Sequence, residues 1–270
     1  MLVLAATPIG NISDASTRLV STLENASHIA AEDTRTLQKL AGFLGIKLKA
    51  QLVSLHEHNE LQKLEQLVEL ARDFDLVLVS DAGMPTISDP GFALVRACAE
   101  AGVEIQVVPG PSAVISALAV SGLSTDRFCF EGFLPRKSGE RKRVFQDLLE
   151  ESRTMVFFES PHRIFESLSD AVSVFGADRK ASVSRELTKK FEETKRGTLG
   201  ELLDWSKDQK GEMVLVIEGA SAKSLDLEQL VSKVIDLKNQ GAGLKQAASS
   251  ISKQYGVSSS ELYSLALKRQ

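Results

Sequence analysis

Cysteine is scarce in this chain: Cys98 and Cys129 are the two among 270 residues, and they share no paired spacing. No disulfide framework follows from them. Cys98 reads as the buried face of a helix and Cys129 as a strand position, so both are expected in packed interior. Aromatic residues make up 6% of the chain, so stacking on splayed bases is expected to be minor. Of four histidines only His56 and His58 are close in sequence, with no third ligand at useful spacing, and a metal centre is not expected. No apolar run approaches the ~20 residues of a membrane span. The first apolar stretch has strand length and no basic segment ahead of it, so no signal peptide is expected and the cytoplasm is the expected compartment.

Two nucleotide signatures are also missing. The first strand is followed by Thr7-Pro8-Ile9-Gly10-Asn11, which is not the Gly-x-Gly-x-x-Gly turn of nicotinamide and flavin sites. No glycine loop ends in Lys-Ser or Lys-Thr, as a triphosphate cradle would. Gly241-x-Gly243 follows no strand and reads as a helix linker. The net charge of −4 argues against coating nucleic acid by bulk attraction, while leaving room for local basic patches.

What the chain does have is three small-residue loops, each after a β-rich apolar run. Ala6–Asn11 follows Leu2–Ala5, Asp81-Ala82-Gly83-Met84-Pro85 follows Leu76–Ser80, and Pro109-Gly110-Pro111-Ser112-Ala113 follows Val103–Val108. Loops at the carboxyl ends of parallel strands are where open α/β sheets bind ligands. Gly, Pro, Ala and Ser let a ligand approach the backbone closely. Neutral main-chain loops with one carboxylate, Asp81, suit a zwitterionic, adenosine-bearing ligand, a description that S-adenosylmethionine fits.

The fold class expected is α/β, with a parallel-sheet N-terminal domain, a mixed α+β second domain and a small helical tail. Residues 1–116 alternate strands and helices. Asp14 is read as the cap of a first helix running to about Glu24. A helix over Thr34–Leu44 stops at Gly45, and Ser88 or Asp89 caps another with Pro90 in its first turn. In residues 120–220 a basic helix spans Lys137–Glu151, and Ser160 caps a helix over Pro161–Phe175. Ala181–Glu186 and Glu192–Arg196 pair as antiparallel strands. Residues 225–270 are helical. Leu244–Tyr255, a break at Gly256 and a Ser258-x-x-Glu261 capping box resemble a helix-turn-helix; a small bundle that only packs is the other reading.

Several motifs in order carry a family resemblance. Thr-Pro-Ile-Gly-Asn at 7–11, Ser80-Asp81-Ala82-Gly83 and Pro109–Ala113 resemble the three loops of the tetrapyrrole-methylase family, methyltransferases with two α/β domains and S-adenosylmethionine between them. Ser-Asp-Ala-Gly stands where that family has Gly-Asp-Pro. Ala5–Asp14, Ala31–Arg35, Ser80–Pro90, Glu131–Arg136 and Phe157–Arg163 resemble a branch of it that methylates the ribose 2′-oxygen of a cytidine in the decoding centre of 16S ribosomal RNA. The resemblance implies a cofactor site of Pro8, Asp81, Ala82, Gly83, Met84, Ser112 and Ala113, with Phe158, Gly197 and Met213 from the second domain. It also implies a homodimer acting on 16S rRNA or the assembled small subunit. A ribose hydroxyl needs help losing its proton. Glu32 or Asp33 is the candidate for orienting the ribose or taking that proton, with Arg35 holding a phosphate; capping by Asp33 or Thr34 and a surface ion pair for Arg35 is the plainer reading. Arg136, Lys137, Arg141, Lys142 and Arg143 give five positive charges in eight residues, a candidate RNA surface that Lys189, Lys190, Lys195 and Arg196 could extend. A tetrapyrrole acceptor is the alternative substrate, against which the basic segment and the tail argue. A non-enzymatic nucleic-acid-binding regulator is the third reading.

Overall fold

The structure is a computed structural model that describes residues 1–220, 227–255 and 257–269. Its first sheet contains β1 (Leu2–Ala5), β2 (His28–Ala31), β3 (Gln51–Ser54), β4 (Leu76–Val79) and β5 (Ile105–Val108), in the order β3-β2-β4-β1-β5. Every pair in it is parallel. Side chains alternate across a strand, and the two faces fill separately. Val3, Ala5, Ile29, Ala31, Val77 and Val79 meet Leu19 and Leu23 of α1 (Thr17–Asn25) and Leu37 of α2 (Thr34–Leu44). Leu2, Leu4, Ala30, Leu76 and Leu78 meet Leu67 and Ala71 of α3 (Glu60–Asp73) and Leu94 and Cys98 of α4 (Phe92–Glu100). Burial on both faces explains why the inner strands β1 and β4 are apolar at every position rather than alternating.

The second sheet is mixed. It contains β6 (Phe128–Phe133), β7 (Thr154–Glu159), β8 (Lys180–Arg185), β9 (Glu193–Thr198) and β10 (Met213–Ile217), in the order β6-β7-β10-β8-β9. Only β6 and β7 run parallel among its described pairs. One face carries α6 (Ser138–Asp147), α7 (Ile164–Phe175) and α8 (Leu199–Trp205), which bury Phe145, Leu168, Leu199 and Leu202 against Met155, Phe157, Val183 and Leu215. The other face receives α5 (Ala113–Ser121), which follows β5: Val114, Ala117 and Leu118 pack on Val156, Val214 and Val216. The helix leaving the first sheet therefore covers the second.

Residues 1–149 and 153–218 form one compact unit, and 150–152 with 219–270 another. The second unit holds α9 (Leu227–Asn239), α10 (Leu244–Tyr255) and α11 (Ser259–Lys268), closed around Leu230, Val234, Ala248, Ile251, Leu262 and Ala266. Ser258 accepts the Glu261 N–H, as a capping residue should. Gly256, the expected break, lies outside the described residues. Among the described residues no helix is long and apolar enough to cross a membrane.

Four local readings need correction. Ser16, not Asp14, caps α1, because residues 12–14 form a 3-10 turn ahead of it. The basic helix ends at Asp147, and α7 begins at Ile164 after a turn in which Arg163 and Ile164 both donate to the Ser160 carbonyl. Neither Ser88 nor Asp89 caps α4. Its N-cap is Gly91, which offers no side chain. The Glu60 carboxylate on α3 accepts from Gly91 N (3.1 Å) and Leu94 N (3.2 Å) instead.

Removing that distant cap leaves two N–H groups at a helix start without a partner. Glu60→Ala should lower stability by about 1–2 kcal/mol, read from urea unfolding, whereas Glu65→Ala on the exposed face of α3 should change little.

Candidate active site between the two sheets

In the first sheet β1 lies between β4 and β5, so the three loops read from the sequence leave neighbouring strands at their carboxyl ends. Thr7 N donates to Gly83 O at 2.9 Å and Gly83 N to Thr7 O at 3.1 Å. The Thr7 hydroxyl reaches Ser80 O at 3.3 Å. Gly83 has φ +79°, and a Cβ on it would lie 3.7 Å from Pro111 O in the third loop. Gly110 is more constrained, since a Cβ there would come within 2.9 Å of the Ala6 Cβ. Small residues thus let the loops close on one another.

The loops wall a cavity of about 480 Å³, within the usual range for a small-molecule site. Ile9, Asp81–Met84 and Ser112–Val114 line it from the first sheet, and Phe133, Phe158–Pro161, Leu187 and Glu212–Val214 from the second. The Phe158 ring packs between Phe130 and Phe133, with centroids 4.9 and 5.2 Å away. Eight expected cofactor residues therefore share one cavity: Asp81, Ala82, Gly83, Met84, Ser112, Ala113, Phe158 and Met213. Pro8 and Gly197 stand outside its lining. Pro8 lies between the bridging Thr7 and the lining Ile9. Gly197 pairs with Ala181 in the sheet and faces Glu201, the residue that completes the Thr198 capping box.

The floor is acidic. Asp81 N donates to Glu32 Oε2 at 3.3 Å, and Asp33 N donates to Asp81 Oδ1 at 3.2 Å. Burial raises the Glu32 pKa, and the Asp81, Glu57 and Asp33 charges add to it. Burial also raises Asp81, with Asp33 contributing. Asp89 stands on the same wall, pushed up to about 6 by burial and by Glu32 and Asp81. Asp33 is different: it caps α2 through the Arg35 N–H at 2.8 Å and takes the Arg35 guanidinium at 2.7 Å. That pairing holds its carboxyl at about 2, and Asp33 does not line the cavity. The Arg35 side chain is 83% exposed.

Residues 1–203 match the tetrapyrrole (corrin/porphyrin) methylases. The chain belongs to that family. Ribosomal RNA small subunit methyltransferase I of Escherichia coli O157:H7 is 44% identical over 274 residues, spanning 100% of this chain and 95% of its own. The protein of the same name from Mycobacterium tuberculosis (strain CDC 1551 / Oshkosh) is 45% identical over 270 residues, spanning 99% and 94%. Among solved structures the methyltransferase CobJ superposes with a TM-score of 0.59 over 83% of this chain and 96% of its own, at 17% identity. A diphthine synthase gives 0.58 over 81% and 90%, at 14% identity. These two show likeness of fold.

The methylase takes its methyl group from S-adenosylmethionine, the donor of its family. The cavity suits that donor: it has the volume, it presents main chain at 81–84 and 112–114, and it offers an aromatic face at Phe158. Its acidity favours a ligand bearing sulfonium and ammonium charges.

The basic segment divides. Arg136, Lys137 and Arg143 are exposed. Arg141 is not: it is 1% exposed, with Nη2 2.6 Å from Asp170 Oδ2 and Nη1 donating to Pro135 O at 3.1 Å. It is an interior ion pair that ties the 135–136 turn to α7, which corrects its expected place on an RNA surface. Lys142 is half-exposed and leans on the same Asp170 at 3.4 Å. Lys189 is held by Glu186 and Glu212, and Arg196 donates to Val120 O, so neither extends a free patch; Lys190 and Lys195 are exposed. Sequence reasoning missed Ile9, Asp89, Glu159, Ser160, Leu187 and Glu212 as lining residues. Asp89 and Ser160 lay inside quoted motifs but had been given capping work.

Asp89 makes stability depend on pH. Its folded pKa is raised from 3.8 to about 6, so between those values the folded chain holds a proton that the unfolded chain has released. Stability from this group therefore falls as pH rises through that window. Asp89→Asn should remove the fall. In urea unfolding at about pH 4 and about pH 7.5, the variant should gain on the order of 1 kcal/mol over wild type at the higher pH, a figure discounted because the carboxyl is partly open to solvent.

Proposed function

We propose that this methylase transfers its methyl group to the ribose 2′-oxygen of a cytidine in the decoding centre of 16S ribosomal RNA, in the bacterial cytoplasm. One geometric observation carries the RNA reading. Phe133 lines the donor cavity, and three residues later the chain enters the exposed cations Arg136, Lys137 and Arg143. Phosphates held by that segment would bring a ribose to the cavity mouth. The full-length relatives named for the small-subunit RNA support the same reading, and the resemblance supplies the cytidine, the 2′-oxygen and a homodimer.

Asp81, Ala82, Gly83 and Met84, with Ser112 and Ala113, would hold the donor's amino-acid end through main-chain groups. Phe158 and Met213 would flank its adenosine, and Pro8 would set the first loop. When bound, the donor supplies an electrophilic methyl group. The protein's work is to hold the acceptor oxygen in line and to exclude water. Glu32, braced by the Asp81 N–H, would orient the ribose. The exposed Arg35, steadied by Asp33, would hold a flanking phosphate.

Labelled S-adenosylmethionine offered with small ribosomal subunits, free 16S RNA and a porphyrinogen tests the reading. Label should enter RNA, and alkali-resistant cleavage mapping should place it on one ribose; label in the porphyrinogen alone defeats the proposal. Arg136, Lys137 and Arg143 changed together to Gln should weaken RNA binding and flatten its dependence on log salt by up to about 2–3 units. Arg141→Ala should destabilise the fold instead, by depriving the buried Asp170 of its closest cation.

A further inference from the structure

Phe133 reaches the cavity through an irregularity in β6. Phe128, Cys129 and Phe130 pair in step with Thr154, Met155 and Val156, but Phe133 pairs with Phe158. Three steps along β6 thus match two along β7, and one residue is extra. Gly132 takes left-handed backbone at that point, with φ 72°, as glycine does without steric cost. In an unbroken strand Phe133 would share the face of Cys129, which lies in the core that α6, α7 and α8 cover. A slip of one residue turns a side chain to the opposite face. Phe133 therefore joins Phe130 and Phe158 on the face toward α5, its ring centroid 5.2 Å from that of Phe158. Bulges of this kind re-aim side chains beside active sites.

The re-aimed ring is left open to solvent. Among the large apolar side chains that the described residues expose, two line the cavity: Phe133, 59% exposed, and Ile87, 46% exposed. They come from different sheets, Ile87 from the loop after β4 and Phe133 from the end of β6. Their neighbours meet, since the Ser88 hydroxyl lies 4.0 Å from where a Cβ on Gly132 would stand. Two apolar side chains thus flank the place where the walls approach, and both gain from being covered. Phe158 and Met213, which are less exposed, already supply apolar lining farther in. Three residues of extended chain span at most about 11 Å. A phosphate on Arg136 and a ring on Phe133 therefore fall within reach of one nucleotide and its neighbour. What suits such an opening is flat, uncharged and attached to a phosphate chain, which describes a nucleobase.

We propose that Phe133 and Ile87 form the slot that receives the base of the nucleotide being methylated, with that base stacked on the Phe133 ring. The inference rests on the RNA ribose reading above and deepens it. A ribose presented to the cavity brings its base along, and a base drawn out of its stack loses contacts that the protein must replace. An aromatic ring replaces them without regard to base identity, because every base has a π-face. Aromatic residues are few in this chain, yet one ring at the mouth serves one base. Phe158 supports that ring from behind, so its plane is set before the base arrives. The slot carries no charge, and a neutral base enters where phosphates are repelled by the acidic floor.

The test compares full-length wild type with Phe133→Ala, Phe133→Trp and Ile87→Ala. Affinity for S-adenosylhomocysteine is measured first, then the affinity of the loaded protein for small ribosomal subunits, then methyl transfer to those subunits. Phe133→Ala should weaken subunit binding by about 5–150-fold, the loss expected for one base–aromatic stack. The loss should be the same at low and high salt, because the variant removes no charge. Ile87→Ala should lose less in the same direction, and Phe133→Trp, which keeps a π-face, should bind as wild type does. Affinity for S-adenosylhomocysteine should not change in any of them. Subunits reconstituted with an abasic ribose at the modified position should bind wild type and Phe133→Ala equally. Where Phe133→Ala unfolds, Phe133→Leu, apolar but without a π-face, gives the same comparison. The proposal is overturned if Phe133→Ala binds intact subunits as wild type does, or if the difference persists on abasic subunits. It is also overturned by a matching fall in S-adenosylhomocysteine affinity, which would make the ring part of the donor site. A wild type that methylates no RNA fails the ribose reading itself, and the wild-type arm alone reveals it.

Discussion

Thr7 and Gly83 exchange a pair of main-chain hydrogen bonds across the open end of the first sheet, and the cavity depends on that exchange. Parallel strands end with main-chain groups that no neighbour satisfies, and the two loops satisfy each other there instead of splaying into water. Gly83 can take part because it tolerates a positive φ. The third loop then closes over Ala6 only because Gly110 has no side chain to keep it away. The result is a rim of fixed amides and carbonyls. A ligand meeting fixed groups loses less entropy than one that must order them, and methyl transfer gains most from fixed alignment.

The same constraint reaches the second sheet through α5. Ser112 lines the cavity and also caps α5, accepting the Ile115 N–H. One turn later Val114, Ala117 and Leu118 are buried against β7 and β10. The residues after the third loop are thus part of the second sheet's core, and the donor loop cannot shift without disturbing that packing. β10 answers from the other side, since Met213 and Val214 line the cavity while Val214 and Val216 hold α5. One helix and one strand thereby set the width of the site.

What the sequence disclosed and what it hid divide by the range of the forces. α2 and α10 start and stop where periodicity and local stop signals place them, because helix patterns are read over a few neighbouring residues. The three loops were legible for the same reason: strand, small residues and helix follow in order. The α4 cap was not, because Glu60 lies 31 residues from Gly91. Nor was the burial of Arg141, whose partner Asp170 is 29 residues away on another helix. A run of five cations looks uniform in one dimension, yet one of its members is an interior ion pair. The acids of the second sheet, Glu159 and Glu212, also face the cavity only because β7 and β10 are neighbours.

Charge is laid out unevenly around the cleft, and the unevenness has a consequence. Glu159 and Glu212 carry cations of their own, so the uncompensated acids gather on the first sheet at Glu32, Asp81 and Asp89. RNA is repelled from that floor, and the cations that could attract it stand beyond Phe133, at the rim. A polyanion meeting the protein here would be held beside the cavity and not in it, and only a neutral group could be presented inward without Coulombic cost. The donor, cationic at sulfur, belongs on the acidic side, and the methylated product pair leaves that side with one positive charge fewer on its ligand. The arrangement separates the two substrates by sign before any atom-specific contact is made.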